Sequence, residues 1–310
     1  MPSRPLALIG LLALATPSVP AGAHEPPDYA RAFHRGDYPG AKARAAERLE
    51  GQPDDVEARI CLGRAEAAMG RLDAAYAEFQ RALQGAPDNP DALYYVGLTA
   101  GALAQEEYDH LLARAPESAR AHQLRGESYE AQGKPAEAEA AYKAALEAGS
   151  DSVEVLVALG HLARSNFAWS KEHVTEARDY YSRALERAPR SYDALYGLGV
   201  SEAVAGEHAQ AIPRLRRALE EEPDSATARL ALGISLFETG QVAAAMAELE
   251  AAARLEPRMR QAHFHLARAY HALGRSEEME RAVARFRELA REEQEANAAQ
   301  IREQEPDPRR

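Results

Sequence analysis

The chain has 310 residues, and its 49 acidic and 37 basic side chains give a formal net charge of −12 at pH 7. Nucleic-acid binding depends on clustered Lys and Arg, so this charge balance argues against a nucleic-acid partner and against a polybasic membrane-binding surface. The chain holds a single cysteine, Cys61, so no disulfide can form within it.

Residues 1–23 have the pattern of a secretory signal peptide. Arg4 precedes an apolar run over residues 6–15, and Ala21-Gly22-Ala23 follows as a small-residue cleavage pattern. The apolar run is about half as long as the roughly 20 residues that span a bilayer. We therefore predict cleavage after Ala23 and a mature chain that begins at His24. The alternative is an uncleaved segment that anchors the chain to a membrane.

One set of residue types returns along the chain at a spacing of about 34 residues. Each copy has a Leu-Gly pair, then Ala, an aromatic residue or Leu, a second Ala and a Pro. The clearest copies begin at Leu62-Gly63, Leu159-Gly160, Leu198-Gly199 and Leu232-Gly233. The period divides the sequence into eight units, 22–55, 56–89, 90–118, 119–152, 153–191, 192–225, 226–259 and 260–293.

These residues resemble the tetratricopeptide repeat, whose signature has Leu-Gly, Tyr, Ala, an aromatic residue and a terminal Pro at these positions. The resemblance implies an all-α fold, a right-handed α-solenoid of about eight helix–turn–helix units over residues 24–293. It also implies a non-enzymatic protein that binds other proteins. Residues 294–310 are polar and are predicted to form a helical extension and tail. An exported solenoid rich in Ala, Arg and Glu is typical of the bacterial envelope, so we expect a periplasmic or extracellular location.

Glycine recurs at two places in each unit for different physical reasons. Within a helix Gly costs about 1 kcal/mol relative to Ala, so its recurrence there predicts that a second helix approaches too closely for a side chain. This prediction covers Gly63, Gly97, Gly126, Gly160, Gly199 and Gly233. Between helices, Gly supplies a left-handed conformation, as expected for Gly36, Gly70, Gly133, Gly206, Gly240 and Gly274. Asp88, Ser118 and Asp224 follow a proline and are predicted to cap the next helix.

Two units depart from the period. Unit 90–118 is short, so its helices are joined either by a very tight turn near Gly101 or as one bent helix. Unit 153–191 is long and carries the only tryptophan, Trp169, in the inserted segment. Tryptophan is enriched at binding hot spots, so Trp169 is a candidate partner contact. The alternative is that it covers an adjacent helix pair.

The resemblance places the first helix of each pair on the concave face of the solenoid. Side chains spaced at i, i+4 and i+7 share one side of such a helix. The candidate partner-binding residues are therefore Tyr94, Leu98, Val157, Tyr196, Val200, Leu230, Ile234, Phe237 and Phe264, together with Trp169. As a set they form an apolar and partly aromatic ladder, which suits a groove for a peptide or an amphipathic helix. The alternative is that they only complete the core.

The sequence offers little support for a catalytic or metal-binding site. No phosphate-binding loop, nucleophile elbow or His-Glu-x-x-His motif is present. His263 and His271 lie two turns apart on one predicted helix and His265 points elsewhere, so they serve a single metal ion poorly. Nor do the first helices carry the Lys, Asn and Arg with which one subset of the family grips carboxylate tails. We predict no enzyme activity, no cofactor, no metal and no small-molecule substrate.

Two functions remain compatible with the sequence. The first is a scaffold that binds a peptide or helix segment of a partner protein in the concave groove. The second is a structural or self-associating subunit of a larger envelope complex, which uses its convex face or the irregular third and fifth units. A metal- or ligand-binding protein that uses the histidines near residue 265 is a distant third. A membrane contact is expected only if the signal segment is retained.

Overall fold

The computed structural model describes residues 26–165 and 171–304, and within these ranges the secondary structure consists of fifteen α-helices without strands. The chain divides into two compact parts, Met1–Pro116 and Glu117–Arg310. The predicted signal peptide and Trp169 lie outside the described residues. In each part, consecutive helices pack against one another as antiparallel neighbours.

Over residues 26–116, the described portion of the first part, there are five helices. They are α1 (Asp28–His34), α2 (Tyr38–Gly51), α3 (Val56–Ala68), α4 (Leu72–Gly85) and α5 (Pro90–Arg114). The pairs α1–α2 and α3–α4 fall within the predicted units 22–55 and 56–89. The core of these pairs is rich in small and aromatic residues, among them Phe33, Ala45, Ala65 and Phe79.

Over the described residues of the second part, 117–165 and 171–304, there are ten helices in five pairs. They are α6 (Ala119–Ala131), α7 (Pro135–Glu147), α8 (Val153–Ser165), α9 (Lys171–Arg187), α10 (Tyr192–Val204), α11 (His208–Glu221), α12 (Ala226–Glu238), α13 (Val242–Leu255), α14 (Arg260–Ala272) and α15 (Ser276–Gln304). Each predicted unit from 119 onward contains one of these pairs. The last helix, α15, continues beyond residue 293 into the predicted polar extension.

The helix ends follow from local sequence. The six interhelical glycines named above all have left-handed backbones, with φ between 68° and 81°, as predicted. Ser118 caps α6 by accepting a hydrogen bond from the N–H of Ala121. The predicted caps Asp88 and Asp224 are wrong, because Asn89 and Ser225 cap α5 and α12. At α5 the reason is Pro90, whose fixed φ suits the first helical position and places the cap at the residue before it.

Five of the six helical glycines lie close to the second helix of their unit, as predicted, but large side chains of that helix occupy the space beside them. A Cβ on Gly63 would lie 2.5 Å from the Phe79 ring, and a Cβ on Gly126 would lie 2.5 Å from the Tyr142 ring. Gly160, Gly199 and Gly233 make the equivalent contacts with Tyr181, Leu215 and Leu249. Gly197, which the repeat pattern did not single out, meets Tyr181 as well. Tyr181 is therefore held between glycines of two successive units.

The third unit contains one continuous helix. Helix α5 runs over 25 residues without a turn, so the prediction that the two helices run together as one is confirmed and the tight turn near Gly101 is wrong. Consequently no second helix of this unit lies against Gly97, and a Cβ added there would meet nothing within 4 Å. The predicted close approach at Gly97 is therefore wrong, because the helix that makes it in other units is joined end to end with the first.

Candidate protein-binding face

The first helices of successive pairs are neighbours in the second part of the chain. Helix α8 contacts α10, α10 contacts α12, and α12 contacts α14. These four helices carry seven of the candidate binding residues. We refer to this set as the first-helix face, and its members are Val157, Tyr196, Val200, Leu230, Ile234, Phe237 and Phe264.

The first-helix face is neither core nor fully solvated surface. Six of its side chains are half-buried, and Phe264 is 45% exposed. Tyr196 and Val200 pack with one side against the core around Leu215 and Leu232. Tyr196 and Val200 therefore contribute to packing and still keep apolar surface in contact with water.

Phe237 connects the hydrophobic clusters of two successive units on this face. It packs against the cluster around Leu236 and also against the cluster around Leu266. The guanidinium carbon of Arg268, on α14, lies 4.5 Å from the centroid of the Phe237 ring. Arg268 Nη2 donates a hydrogen bond to Glu238 Oε1 at 3.0 Å. A charged pair that is only partly exposed thus borders the aromatic surface and fixes the orientation of the ring.

Aromatic contacts continue at both ends of the face. Tyr192 stacks on Tyr196 with ring centroids 5.8 Å apart and an interplanar angle of 3°. At the other end, the rings of Phe264 and Phe286 are 5.7 Å apart. Helix α15, which carries Phe286, therefore covers part of Phe264. Tyr192 lies four residues before Tyr196 on the same side of α10, so helical spacing was a signal for the first contact. The second contact involves Phe286 on a second helix, which the spacing within a first helix does not indicate.

Two histidines lie on the same helices as this face. Burial lowers the pKa of His161, and the nearby Arg164 lowers it further. Burial also lowers the pKa of His265, with a second contribution from Arg268. Both imidazoles are therefore neutral at neutral pH. His161 packs against Tyr181, with ring centroids 5.8 Å apart.

Acid is expected to weaken the fold through these two histidines. In the unfolded chain each binds a proton near pH 6.5, while in the folded chain it does so only at lower pH. Between those values the unfolded chain binds more protons, so stability falls as pH decreases. We expect the double variant His161→Gln/His265→Gln to lose less melting temperature than the parent between pH 7 and 5.5. Equal losses in thermal melts of the two proteins would contradict this assignment.

The three remaining candidate residues do not belong to the four helices of this face. Tyr94 and Leu98 belong to α5 in the first part of the chain, where Tyr94 is 49% exposed and Leu98 is half-buried. Trp169 lies outside the described residues, so its predicted role stays a prediction.

The described residues hold no cluster of three or more His, Cys, Asp or Glu side chains that fits a metal ion. His263 and His265 thus have no set of metal ligands around them in that part of the chain. Among the described helices, none combines the length and apolar character of a membrane span.

The stacked helix pairs define a helix-repeat protein of the α-solenoid class. The chain belongs to the tetratricopeptide repeat family, which matches residues 31–90, 91–153 and 162–226. Further tetratricopeptide repeat matches cover residues 204–258 and 260–285. The predicted family and fold class are therefore confirmed. Tetratricopeptide repeats generally mediate protein–protein interaction, and the chain is a protein-interaction scaffold in this general sense.

Solved structures with a similar fold include several of MamA. The MamA RS-1 ArsTM double mutant is 19% identical, with a TM-score of 0.51, and the match covers 56% of this chain and 96% of the MamA chain. MamA 41-end from Desulfovibrio magneticus RS-1 is also 19% identical, with a TM-score of 0.48 and coverages of 57% and 96%. At this identity the similarity concerns the fold alone. The comparison with curated proteins gives no match.

Proposed function

We propose that the chain is a non-enzymatic scaffold or adaptor that binds a peptide or helix of a partner protein on the first-helix face. The observation that carries this proposal is the set of half-buried apolar side chains Tyr196, Leu230 and Phe237 on two contacting helices, linked by Phe237, which packs with both neighbouring clusters. These side chains are held in place by the core on one side and remain accessible on the other. Rigid, partly exposed aromatic residues are the usual anchors of protein interfaces, since they lose little entropy on binding.

The surface also indicates the chemistry of the partner. A ladder of apolar side chains on successive helices fits the apolar side of an amphipathic helix or of an extended peptide. Glu238 is already paired with Arg268, so the face itself presents no isolated charge at this point. The negative net charge favours the approach of a basic partner over an acidic one.

A photo-crosslinking amino acid placed at Tyr196 tests this proposal in cells. We expect it to capture one partner protein, and we expect the same partner to be captured from Phe237. Arg216, which is exposed on the second helix α11, is the matched control position. Capture of the same partner with equal yield from Arg216, or no capture from Tyr196 and Phe237, would contradict binding on the first-helix face.

We further propose that this scaffold works in the bacterial envelope, on the strength of the signal-peptide pattern in residues 1–23. We expect the exported protein to begin at His24 by mass spectrometry of its N-terminal peptide. Leu11→Arg interrupts the apolar run and is expected to retain the precursor inside the cell. An unprocessed chain in the membrane fraction would support the anchor instead, and an unprocessed cytosolic chain would contradict export.

A further inference from the structure

Helix α5 exposes a stripe that has no counterpart in the other units. We define the α5 seam as Tyr94, Gly97, Gly101, Ala104, Tyr108 and Leu111. These residues alternate at spacings of three and four, so they follow one side of the helix, as in the a and d positions of a coiled coil. Tyr94 and Tyr108 are 49% and 44% exposed. A Cβ on Gly97 or Gly101 would meet nothing within 4 Å.

The same repeat positions form a tight interface in the regular units. In the pair α3–α4, the Phe79 ring fills the space beside Gly63, where a Cβ would lie only 2.5 Å from it. One turn further along α3, Ala67 is fully buried, as is Ala75 on the facing helix. This interface therefore consists of a notch at Gly63, a large side chain that fills it, and two small residues where the helices cross.

Helix α5 carries both halves of such an interface on one seam. In the repeat alignment, Gly97 and Gly101 take the places of Gly63 and Ala67, which belong to a first helix. Ala104 and Tyr108 take the places of Ala75 and Phe79, which belong to a second helix. In one chain these halves cannot meet, because Gly97 and Tyr108 lie about 16 Å apart along a continuous helix.

We propose that α5 pairs antiparallel with α5 of a second copy, so that two chains complete each other's third unit. The register places Tyr108 of each copy in the notch at Gly97 of the other. Gly101 then faces Ala104 of the other copy, and Tyr94 faces its Leu111. All these contacts occur twice about a two-fold axis near residues 102 and 103. This interface is self-complementary, as a symmetric dimer requires.

Size and charge are compatible with a second copy as the occupant. Helix α5 is about 37 Å long, so two such helices side by side bury on the order of 1,000 Å², at the lower limit of specific interfaces. None of the six seam residues is charged, so pairing removes no ionised group from water. Each chain has a net charge of −12, and salt screens the resulting repulsion between copies. We therefore expect the dimer to tighten as salt increases.

The first test is the dissociation constant of the full chain, measured by sedimentation over a wide concentration range. Gly97→Gln is expected to raise it at least about tenfold, since the added side chain occupies the notch. The fold of the monomer tolerates this change, because the site is open. Glu106→Gln, on the opposite side of α5, is the matched control and should leave the constant unchanged. A chain that stays monomeric, or equal constants for Gly97→Gln and the parent, would overturn the proposal.

The second test fixes the register, in a chain whose only native cysteine is removed by Cys61→Ala. Gly97→Cys combined with Tyr108→Cys is expected to form disulfides between chains on mild oxidation, seen as dimers on non-reducing gels. A variant with only one of these cysteines should not form the disulfide, because each position lies about 16 Å along the helix from the same position in the second copy. An intrachain disulfide would show that the chain folds back at Gly101, and free thiols would show that the seam stays open. Both results overturn the proposal, which does not depend on the partner-binding function above.

Discussion

Gly197→Ala is expected to destabilise the protein strongly, whereas Gly97→Ala is expected to stabilise it. The Tyr181 ring is fully buried between Gly160 and Gly197, so it cannot move away from an added methyl group. We expect overpacking to cost roughly 2 kcal/mol net of the better helix propensity of Ala. At Gly97 nothing opposes the methyl group in the monomer, so up to about 1 kcal/mol of helix propensity is gained.

Urea denaturation followed by circular dichroism measures both effects. The protein is kept at the lowest practical concentration, because Gly97 lies in the proposed dimer seam. Gly160→Ala is the companion variant, since its Cβ would lie 2.6 Å from the same ring. It should lower the midpoint as Gly197→Ala does. A lower midpoint for Gly97→Ala in the monomer would mean that another helix packs on α5 in solution, and an unchanged midpoint for Gly197→Ala would contradict the Tyr181 packing.

Replacing Tyr196, Leu230 and Phe237 together by Glu is expected to abolish binding of the partner captured at Tyr196. Each substitution removes apolar contact and places a charge where the partner must exclude water. Hot-spot residues contribute about 2 kcal/mol or more each, so even one such change should weaken binding about thirtyfold. The measurement is the dissociation constant by calorimetry, with helicity checked by circular dichroism.

The half-buried positions call for a milder companion to this variant. The triple Gln variant keeps side-chain size without adding charge, and it should fold while losing most of its affinity. A control variant with Arg216→Glu and Ala247→Glu introduces glutamates at exposed positions on second helices, to match the triple Glu variant. Wild-type affinity in a folded Gln variant, or an equal loss in the control, would contradict the assignment of the binding surface.

The sequence predicted those parts of the fold that repeat within one unit. The recurring glycines predict a close contact with the second helix of the same unit, and Phe79 beside Gly63 and Tyr181 beside Gly160 make that contact. The pattern did not identify which side chain lies there. The contact of Gly197 with Tyr181 crosses from one unit to the next, so the pattern within a unit gave no sign of it. The predicted close approach at Gly97 failed for another reason. The sequence of the shortened unit is compatible both with a turn at Gly101 and with one continuous helix, and only a turn would bring a second helix against Gly97.

The candidate site was predicted less completely than the fold. Helical spacing identified Tyr196, Leu230 and Phe237 as one side of successive helices, but their exposure depends on the size of neighbouring side chains. The stacking of Arg268 on Phe237 joins two units whose residues are 31 positions apart. The opposite charges of Glu238 and Arg268 were a signal for this contact. The sequence alone does not show that the two residues are adjacent, because that depends on how successive units stack.

Hydroxyl-radical footprinting of the protein with and without its captured partner tests the central claim most directly. It reports the solvent access of individual Tyr, Phe and Leu side chains. We expect the partner to protect Tyr196, Leu230 and Phe237, while Leu255, which is exposed at the end of α13, keeps its reactivity. Unchanged reactivity on the first-helix face, together with protection of Leu255, would place the partner elsewhere and contradict the proposed function.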